Sequence, residues 1–163
     1  MSRQVSELET VLQQLLAEHR KLHAHLEAHL AAMKRMDVRA MDESVALQEA
    51  SRIRIVLLEK QRRFLAAQLG NLLKLGPEPT INKIAAAFPA RGPQLMKLRT
   101  DLKQAMQAVQ SGTFVAGKVA GAVLGHLNTA LRLFAGAVEK AGVYTKQGVP
   151  KVSARIGVME AVG

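Results

Sequence analysis

The chain has 163 residues with no cysteine, no tryptophan and only 3% aromatic residues, which excludes disulfides and thiolate metal or redox centres. Its core must be built from aliphatic residues and methionine, and this favours helix-on-helix packing over a sheet sandwich. The formal net charge is +10 and lies mostly after Gly70, so either an acidic partner or a solubilising surface would account for it.

The first predicted helix, about residues 2–36, carries a continuous heptad seam. Its positions alternate spacings of four and three, which is typical of a long helix that packs lengthwise on another helix. Asp37 should cap the next helix, and so short a turn makes the two helices antiparallel. The nine seam residues are Leu8, Leu12, Leu15, His19, Leu22, Leu26, His29, Met33 and Met36.

The second predicted helix, about residues 38–69, is strongly apolar in its middle, from Ile53 to Leu58. Apolar residues there point to more than one side of the helix, so we expect this middle to face two neighbours. Gly70-Asn71 is the predicted helix end, and Gly76-Pro77-Glu78-Pro79 predicts a linker.

Two further helices are predicted after this linker. Thr80 can cap a short helix over about residues 80–88, which Pro89 terminates. A third long helix, about residues 93–140, begins at Pro93, because proline suits the first turn of a helix.

The predicted fold class is all-α. Residues 1–142 should form an elongated antiparallel helical bundle of three long helices plus a short connecting helix. Residues 143–163 are expected to be a flexible C-terminal tail, because Pro150 and sparse periodicity indicate no firm element.

The later part of the third helix, from Gly112 to Val138, consists mostly of Gly, Ala, Val and Leu. Its apolar residues fall on two faces about a quarter-turn apart, at about 100° per residue. One neighbouring helix cannot cover both faces, so an apolar surface wider than the internal core requires is predicted. Such a surface is expected of a helix that binds another protein. The alternative is a helix buried between the first two.

Two motifs in this part resemble functional signatures, one of a transmembrane helix and one of a phosphate-binding loop. Gly117, Gly121 and Gly125 repeat every fourth residue, a small-residue pattern that lets helices approach closely, above all in membranes. Charged residues interrupt the run and a spanning helix needs about 20 largely apolar residues, so no transmembrane segment is expected. Residues 112–118 match a phosphate loop, but Val119 stands where Ser or Thr should hold magnesium, and the match is interpreted as chance.

Four histidines of the first helix were considered as metal ligands. His19 with His23, and His25 with His29, stand four apart and could pair on a metal. The Glu that directly follows the first His in zinc peptidases is missing, and His19 and His29 occupy seam positions where polar residues set register. No Ser/His/Asp or paired-carboxylate arrangement indicates catalysis, so we expect no metal, no cofactor and no enzymatic activity.

The order and spacing of several features, taken together, match a known pattern. Two long amphipathic helices, the run from Ile55 to Arg63 in the second, a Pro/Gly break, a third long helix and the stretch from Val143 to Gly148 follow one another. They resemble the flagellar export chaperone FlgN family. The resemblance implies a cytoplasmic chaperone of flagellar type III export, without enzymatic activity. Its partners would be hook-filament junction (hook-associated) proteins and the export-gate membrane protein. It would bind the C-terminal amphipathic helix of the hook-associated proteins, prevent their premature assembly and deliver them to the export gate.

The resemblance also implies where the partners bind. The family's client-binding segment lies in the later part of the third helix and after it, here about Val109 to Val138, which agrees with the wide apolar surface described above. The family's tyrosine associated with docking at the export gate matches Tyr144, with Gly148 as the closing glycine. The predicted client-binding residues are Val115, Val119, Leu127, Leu133 and Phe134.

Three departures from the family pattern leave the client and the gate contact open. Ser111-Gly112 stands where the family commonly has Asn-Gly, Thr145 rather than Gly follows Tyr144, and the Gly/Ala richness and basic charge are atypical. Two alternatives also stay open: a basic helical nucleic-acid-binding protein, and a metal-binding four-helix-bundle enzyme, for which the paired Glu and Glu-x-x-His ligands are missing. A chaperone would need no nucleic acid, and its oligomeric state is not indicated.

Overall fold

The computed structural model of the chain describes residues 2–142, all but the turns and linkers of which are helical, without a β-strand in that range. The predicted all-α class is confirmed. The predicted tail, residues 143–163, and Tyr144 within it lie outside the described residues. The helices are α1 (Ser2–Arg35), α2 (Val38–Leu72), α3 (Ile81–Ala87) and α4 (Gly92–Gly142).

The chain divides into two compact units, and the boundary falls inside α4. The first unit is Met1–Ala120 and contains α1, α2, α3 and the beginning of α4. The second unit is Gly121–Gly163 and begins with the rest of α4.

The turn between α1 and α2 is closed by backbone hydrogen bonds of the Schellman type. Asp37 N donates to Ala32 O at 3.0 Å and Met36 N to Met33 O at 3.1 Å, which satisfies carbonyl groups left free at the end of α1. Met36 takes the left-handed conformation that this motif requires, with φ 57°. Asp37 then caps α2, because its side chain accepts a hydrogen bond from Ala40 N at 3.0 Å. The predicted cap is confirmed.

Side-chain contacts show that α1 and α2 run antiparallel, as predicted. Glu18 of α1 lies 3.8 Å from Arg54 of α2, measured from Oε1 to Nη1. Nearer the turn, His29 Nδ1 lies 2.8 Å from Ser44 Oγ. Residue numbers therefore rise along α1 while those of the facing residues fall along α2.

The beginning of α4 runs in the same direction as α1. Arg91, just before α4, donates to Glu9 at 2.7 Å, from Nη1 to Oε2. Farther along, a Cβ added at Gly112 would lie 3.6 Å from Leu26 Cδ1. Both contacts lie within the first unit, so its three long segments form a bundle in which α2 is antiparallel to the other two.

The core of the first unit is one cluster of aliphatic side chains to which every helix contributes. The α1 seam supplies much of it, since seven of its nine residues are buried, His29 is half-buried and only Met36 at the turn is exposed. The largest fully buried side chains are Leu8, Leu12, Leu15, Leu69, Ile84, Leu95 and Val5.

The end of α2 differs from the prediction. Gly70 does not terminate the helix but allows another segment to pack closely against it. A Cβ at Gly70 would overlap the carbonyl oxygen of Gly76 and lie 2.8 Å from Pro79 Cδ. The linker therefore folds back against α2 at the one residue without a side chain. The helix continues to Leu72, and Lys74 provides the left-handed turn with φ 55°.

Only one side of the apolar middle of α2 packs on the core. Ile55 and Leu58 are half-buried and pack on the core cluster, whereas Ile53, Val56 and Leu57 are exposed. On the covered side, Ile55 lines one groove together with residues of α1 and of α4, so the middle of α2 has the two predicted neighbours while its other side is exposed.

Candidate protein-binding face of helix α4

The second unit presents an exposed leucine seam on α4. Leu124, Leu127, Leu131 and Phe134 are spaced three, four and three residues apart, so they lie along one side of the helix. Leu131 is 67% and Phe134 73% exposed. Across residues 121–137 no side chain is buried. We call these four residues the α4 seam.

The predicted client-binding residues divide between this seam and other positions. Leu127 and Phe134 belong to the α4 seam. Leu133 is exposed too, but it lies about 100° around the helix from its neighbour Phe134 and is therefore outside the seam. Val115, exposed, and Val119, half-buried, belong to the first unit.

Two members of the α4 seam, Leu124 and Leu131, were missed by the sequence analysis. The signal was present, because residues 120, 124, 127, 131, 134 and 138 alternate spacings of four and three. The same test had identified the α1 seam. Because this part is rich in glycine and alanine, the sequence predicted two broad apolar faces instead of one row of large side chains.

The surroundings of the α4 seam carry little charge. Arg132 is the one Lys, Arg, Asp or Glu between residues 121 and 137. Earlier on α4, Lys118 Nζ lies 4.5 Å from the centre of the Phe114 ring, a cation–π contact that occupies this aromatic face. Binding at the seam would therefore depend on apolar burial more than on charge.

The three glycines of the four-residue repeat on α4 are not used for close helix packing in the described part of the chain. A Cβ added at Gly117, Gly121 or Gly125 would meet no atom within 4 Å. The phosphate-loop match, residues 112–118, lies inside the continuous helix and forms no loop, so its interpretation as chance is confirmed. Between residues 2 and 142, no helix combines the length and the apolar character needed to cross a membrane.

Two of the four considered histidines of α1 are engaged in helix packing. His19 Nδ1 donates to the carbonyl oxygen of Leu15 at 2.8 Å, since a carbonyl can only accept. Ser44 Oγ donates its hydrogen to Met41 O at 2.7 Å, so His29 Nδ1 must donate to Ser44 Oγ. Within the described range, His, Cys, Asp and Glu nowhere gather in a group of three or more that could hold a metal.

A groove in the first unit has a volume of about 380 Å³ and an apolar floor that includes Leu12 and Leu102. Its rim carries Arg62, Arg99 and Lys103 together with Glu59. Arg62 holds Glu59 by two hydrogen bonds, from Nε to Oε2 at 2.8 Å and from Nη2 to Oε1 at 2.6 Å.

This ion pair shifts the titration of both partners. Hydrogen bonding from Arg62 lowers the pKa of Glu59 below its ordinary value, although partial burial opposes the shift. The same hydrogen bond raises the pKa of Arg62. Glu59 is therefore an ionised, hydrogen-bonded carboxylate near neutral pH, which suits a structural ion pair and not a general acid.

Comparison with known protein families supports the resemblance found in the sequence. The family described as FlgN protein matches residues 1–151, which includes every described helix. Neither the curated proteins nor the solved structures contained a match. Because the family match covers most of the sequence, the chain belongs to the FlgN family of flagellar export chaperones.

Proposed function

We propose that this FlgN-family chaperone acts in the cytoplasm on hook-filament junction (hook-associated) proteins. It binds their C-terminal amphipathic helix, prevents premature assembly and delivers them to the export gate. The observation that supports this proposal is the α4 seam, a row of four large apolar side chains on a segment without buried residues. A surface of this kind fits an amphipathic helix with apolar residues at matching spacing.

Binding in this way accounts for both protection and release. Burying one large aliphatic side chain contributes roughly 1.5–3 kcal/mol, and the loss of translational and rotational freedom offsets part of the sum. The client's own apolar face is covered while it is bound, so it cannot pair with other subunits. With few charges involved, the complex dissociates without the need to separate buried ion pairs.

The predicted client-binding residues have different parts in this proposal. Leu127 and Phe134 bind the client together with Leu124 and Leu131, while Val115, Val119 and Leu133 enlarge the contact on neighbouring faces of α4. The docking of Tyr144 at the export gate is proposed from the family resemblance alone.

Co-purification with hook-associated proteins, intact and lacking their C-terminal helix, tests the proposal at low and high salt. We expect capture that survives high salt and vanishes with the truncation. Failure to capture either form would overturn the assignment of these clients. Salt-sensitive retention of nucleic acid in that case would favour the basic, nucleic-acid-binding alternative, because phosphate contacts weaken steeply with salt.

A pair of matched variants locates the site. The double substitution Leu127→Asp with Leu131→Asp places two charges on the α4 seam and should abolish capture. Arg132→Asp is the control, because Arg132 is exposed and lies about a third of a turn from both the α4 seam and Leu133. Val119→Asp with Leu133→Asp tests the neighbouring faces. Unchanged capture by the first variant, with helix content preserved, would contradict this placement.

A further inference from the structure

A second exposed apolar surface lies on α2, within the first unit, and the proposed function does not use it. Ile53, Val56, Leu57 and Phe64 stand on the outer side of this helix, at spacings of three, one and seven residues. They are between 55% and 63% exposed. We call these four residues the α2 stripe.

The α2 stripe has no part in holding the core together. The inner side of the same segment already packs there through Ile55, Leu58 and Leu65. The segment is therefore apolar on both sides, which a helix covered on one side alone does not need. Four large apolar side chains so close together on a free surface indicate an interaction site.

Basic side chains surround the α2 stripe. Residues 49–64 contain five Lys or Arg and two Glu. At about 100° per residue, Arg52 and Arg63 lie along one edge of the stripe, Arg54 along the other, and Lys60 within it. Glu59 is held by Arg62 and Arg63. Glu49 lies 3.9 Å from Arg52, and Glu18 of α1 lies 3.8 Å from Arg54. The five cations therefore exceed these three carboxylates by two. The partner that complements this surface is therefore anionic as well as apolar.

The position of Lys60 distinguishes a lipid surface from a protein helix. A coiled-coil partner would need the seam to continue, but Lys60 interrupts it and Ala46, Ala50 and Ala67 offer little apolar surface beyond. At a membrane surface, a lysine among apolar residues extends its ammonium to the headgroups while its methylene chain stays with the lipid. A second copy of the same stripe would bring like charges together.

We propose that the α2 stripe docks the protein on the surface of membranes that contain anionic lipids. The axis of α2 lies parallel to the membrane plane, with Leu57 and Phe64 at the boundary between headgroups and acyl chains. The flanking arginines and Lys60 bind lipid phosphates. This arrangement is the one that amphipathic helices with basic edges adopt at membrane interfaces. The proposal does not depend on the nature of the client, because it uses another helix.

Vesicle flotation of the full chain tests the proposal. Vesicles of phosphatidylcholine alone are compared with vesicles that also contain phosphatidylglycerol. We expect the protein to float only with the anionic vesicles and to be released as salt is raised. Absence of flotation with anionic vesicles at low salt would overturn the proposal.

Three double variants assign any flotation to its surface. Leu57→Gln with Phe64→Gln, and separately Lys60→Glu with Arg63→Glu, should weaken vesicle binding by about tenfold or more, since binding strength follows buried apolar area and opposite charge. The control, Leu124→Gln with Leu131→Gln, removes exposed leucines from the α4 seam and should float like the unaltered protein. All substituted side chains are exposed, and circular dichroism checks that the helices persist.

Two results would overturn the assignment of lipid binding to the α2 stripe. If both α2 variants float like the unaltered protein, lipid binding belongs to another basic surface and the proposal fails. If sedimentation shows a dimer that Leu57→Gln with Phe64→Gln converts to a monomer, and no flotation occurs, the α2 stripe joins two copies of this chain and the lipid proposal is overturned.

Discussion

The first unit and the second unit carry leucine seams of the same spacing, and only the first unit covers its seam. Leu15 of α1 is 1% exposed, whereas Leu131 of α4 is 67% exposed. In the first unit, α1 finds its partners within the chain, namely α2 and the beginning of α4. A heptad pattern therefore predicts that a helix has an apolar packing face, but it does not indicate whether the partner belongs to the same chain.

The contrast has an energetic meaning. A covered seam contributes to the free energy of unfolding, because its apolar area is removed from water when the chain folds. An exposed seam makes the same contribution only when a partner arrives, and it then adds to binding instead of folding. Substitutions at equivalent seam positions of the two units should therefore affect different measurements.

The largest expected effect comes from truncating one leucine in each seam. Leu15→Ala should lower the free energy of unfolding by about 2–5 kcal/mol, because it leaves a cavity among buried side chains. Leu131→Ala should change it by less than about 0.5 kcal/mol. Urea denaturation followed by circular dichroism measures both. Equal losses for the two variants would mean that the α4 seam is buried in solution.

Adding a methyl group at a glycine sharpens the same comparison. Gly70→Ala should destabilise by about 1–3 kcal/mol, because the new Cβ meets Gly76 and Pro79. Gly125→Ala meets nothing within 4 Å and should increase the stability of α4 by roughly 0.5–1 kcal/mol. Thermal unfolding of the two variants beside the unaltered protein provides the test. A stabilising Gly70→Ala would contradict the packing of the linker on α2.

The cap at the α1–α2 turn should contribute a moderate amount. Asp37→Ala removes the acceptor for Ala40 N and should cost about 1 kcal/mol. Asp37→Asn keeps an acceptor oxygen, so its stability should stay close to that of the unaltered protein. Denaturant midpoints compare the three proteins, and an equal loss for both variants would show that the charge, and not the hydrogen bond, matters.

The smallest effect should come from the Glu59–Arg62 pair, and it should depend on pH. Because the pKa of Glu59 is lowered from about 4.5 by Arg62, the ionised form is favoured in the folded state. Its contribution is present above pH 4.5 and is lost as the pH falls through the lower folded-state pKa. Glu59→Gln should therefore cost about 0.5–1 kcal/mol near pH 7, since the pair is partly exposed.

Unfolding of the Glu59→Gln variant and the unaltered protein across pH 3 to 7 measures this dependence. Glu43→Gln is the control, since Glu43 pairs with Arg39 at a more exposed position of α2. A difference between Glu59→Gln and the unaltered protein that persists unchanged at the acidic end would mean that the carboxylate acts through packing and not through its charge.

Much of the fold could be predicted because local signals and tertiary contacts agree. The α1 seam predicted the buried side of that helix, and Asp37 and Thr80 have the cap roles that their residue types favour. The end of α2 was misplaced because Gly70 resembles a helix stop in the sequence. Only the folded linker shows that the missing side chain makes room for Gly76 and Pro79.

The candidate site was harder to predict than the fold. Leu127 and Phe134 were among the predicted residues, but Leu124 and Leu131 complete the α4 seam. Exposure is the property that distinguishes this seam from the α1 seam, and it depends on which other segments lie nearby. Residue spacing carries no information about that, so the sequence could indicate an apolar face without showing that it is free.

The absence of buried side chains in residues 121–137 has an evolutionary consequence. Most proteins tolerate few changes at a binding site that is also part of the core, because new specificity then lowers stability. Here substitutions at Leu124 or Leu131 leave the buried cluster of the first unit untouched. Under the proposed function, the client-binding segment can therefore diverge among descendants, and new clients can be acquired one residue at a time while the fold stays above its stability threshold.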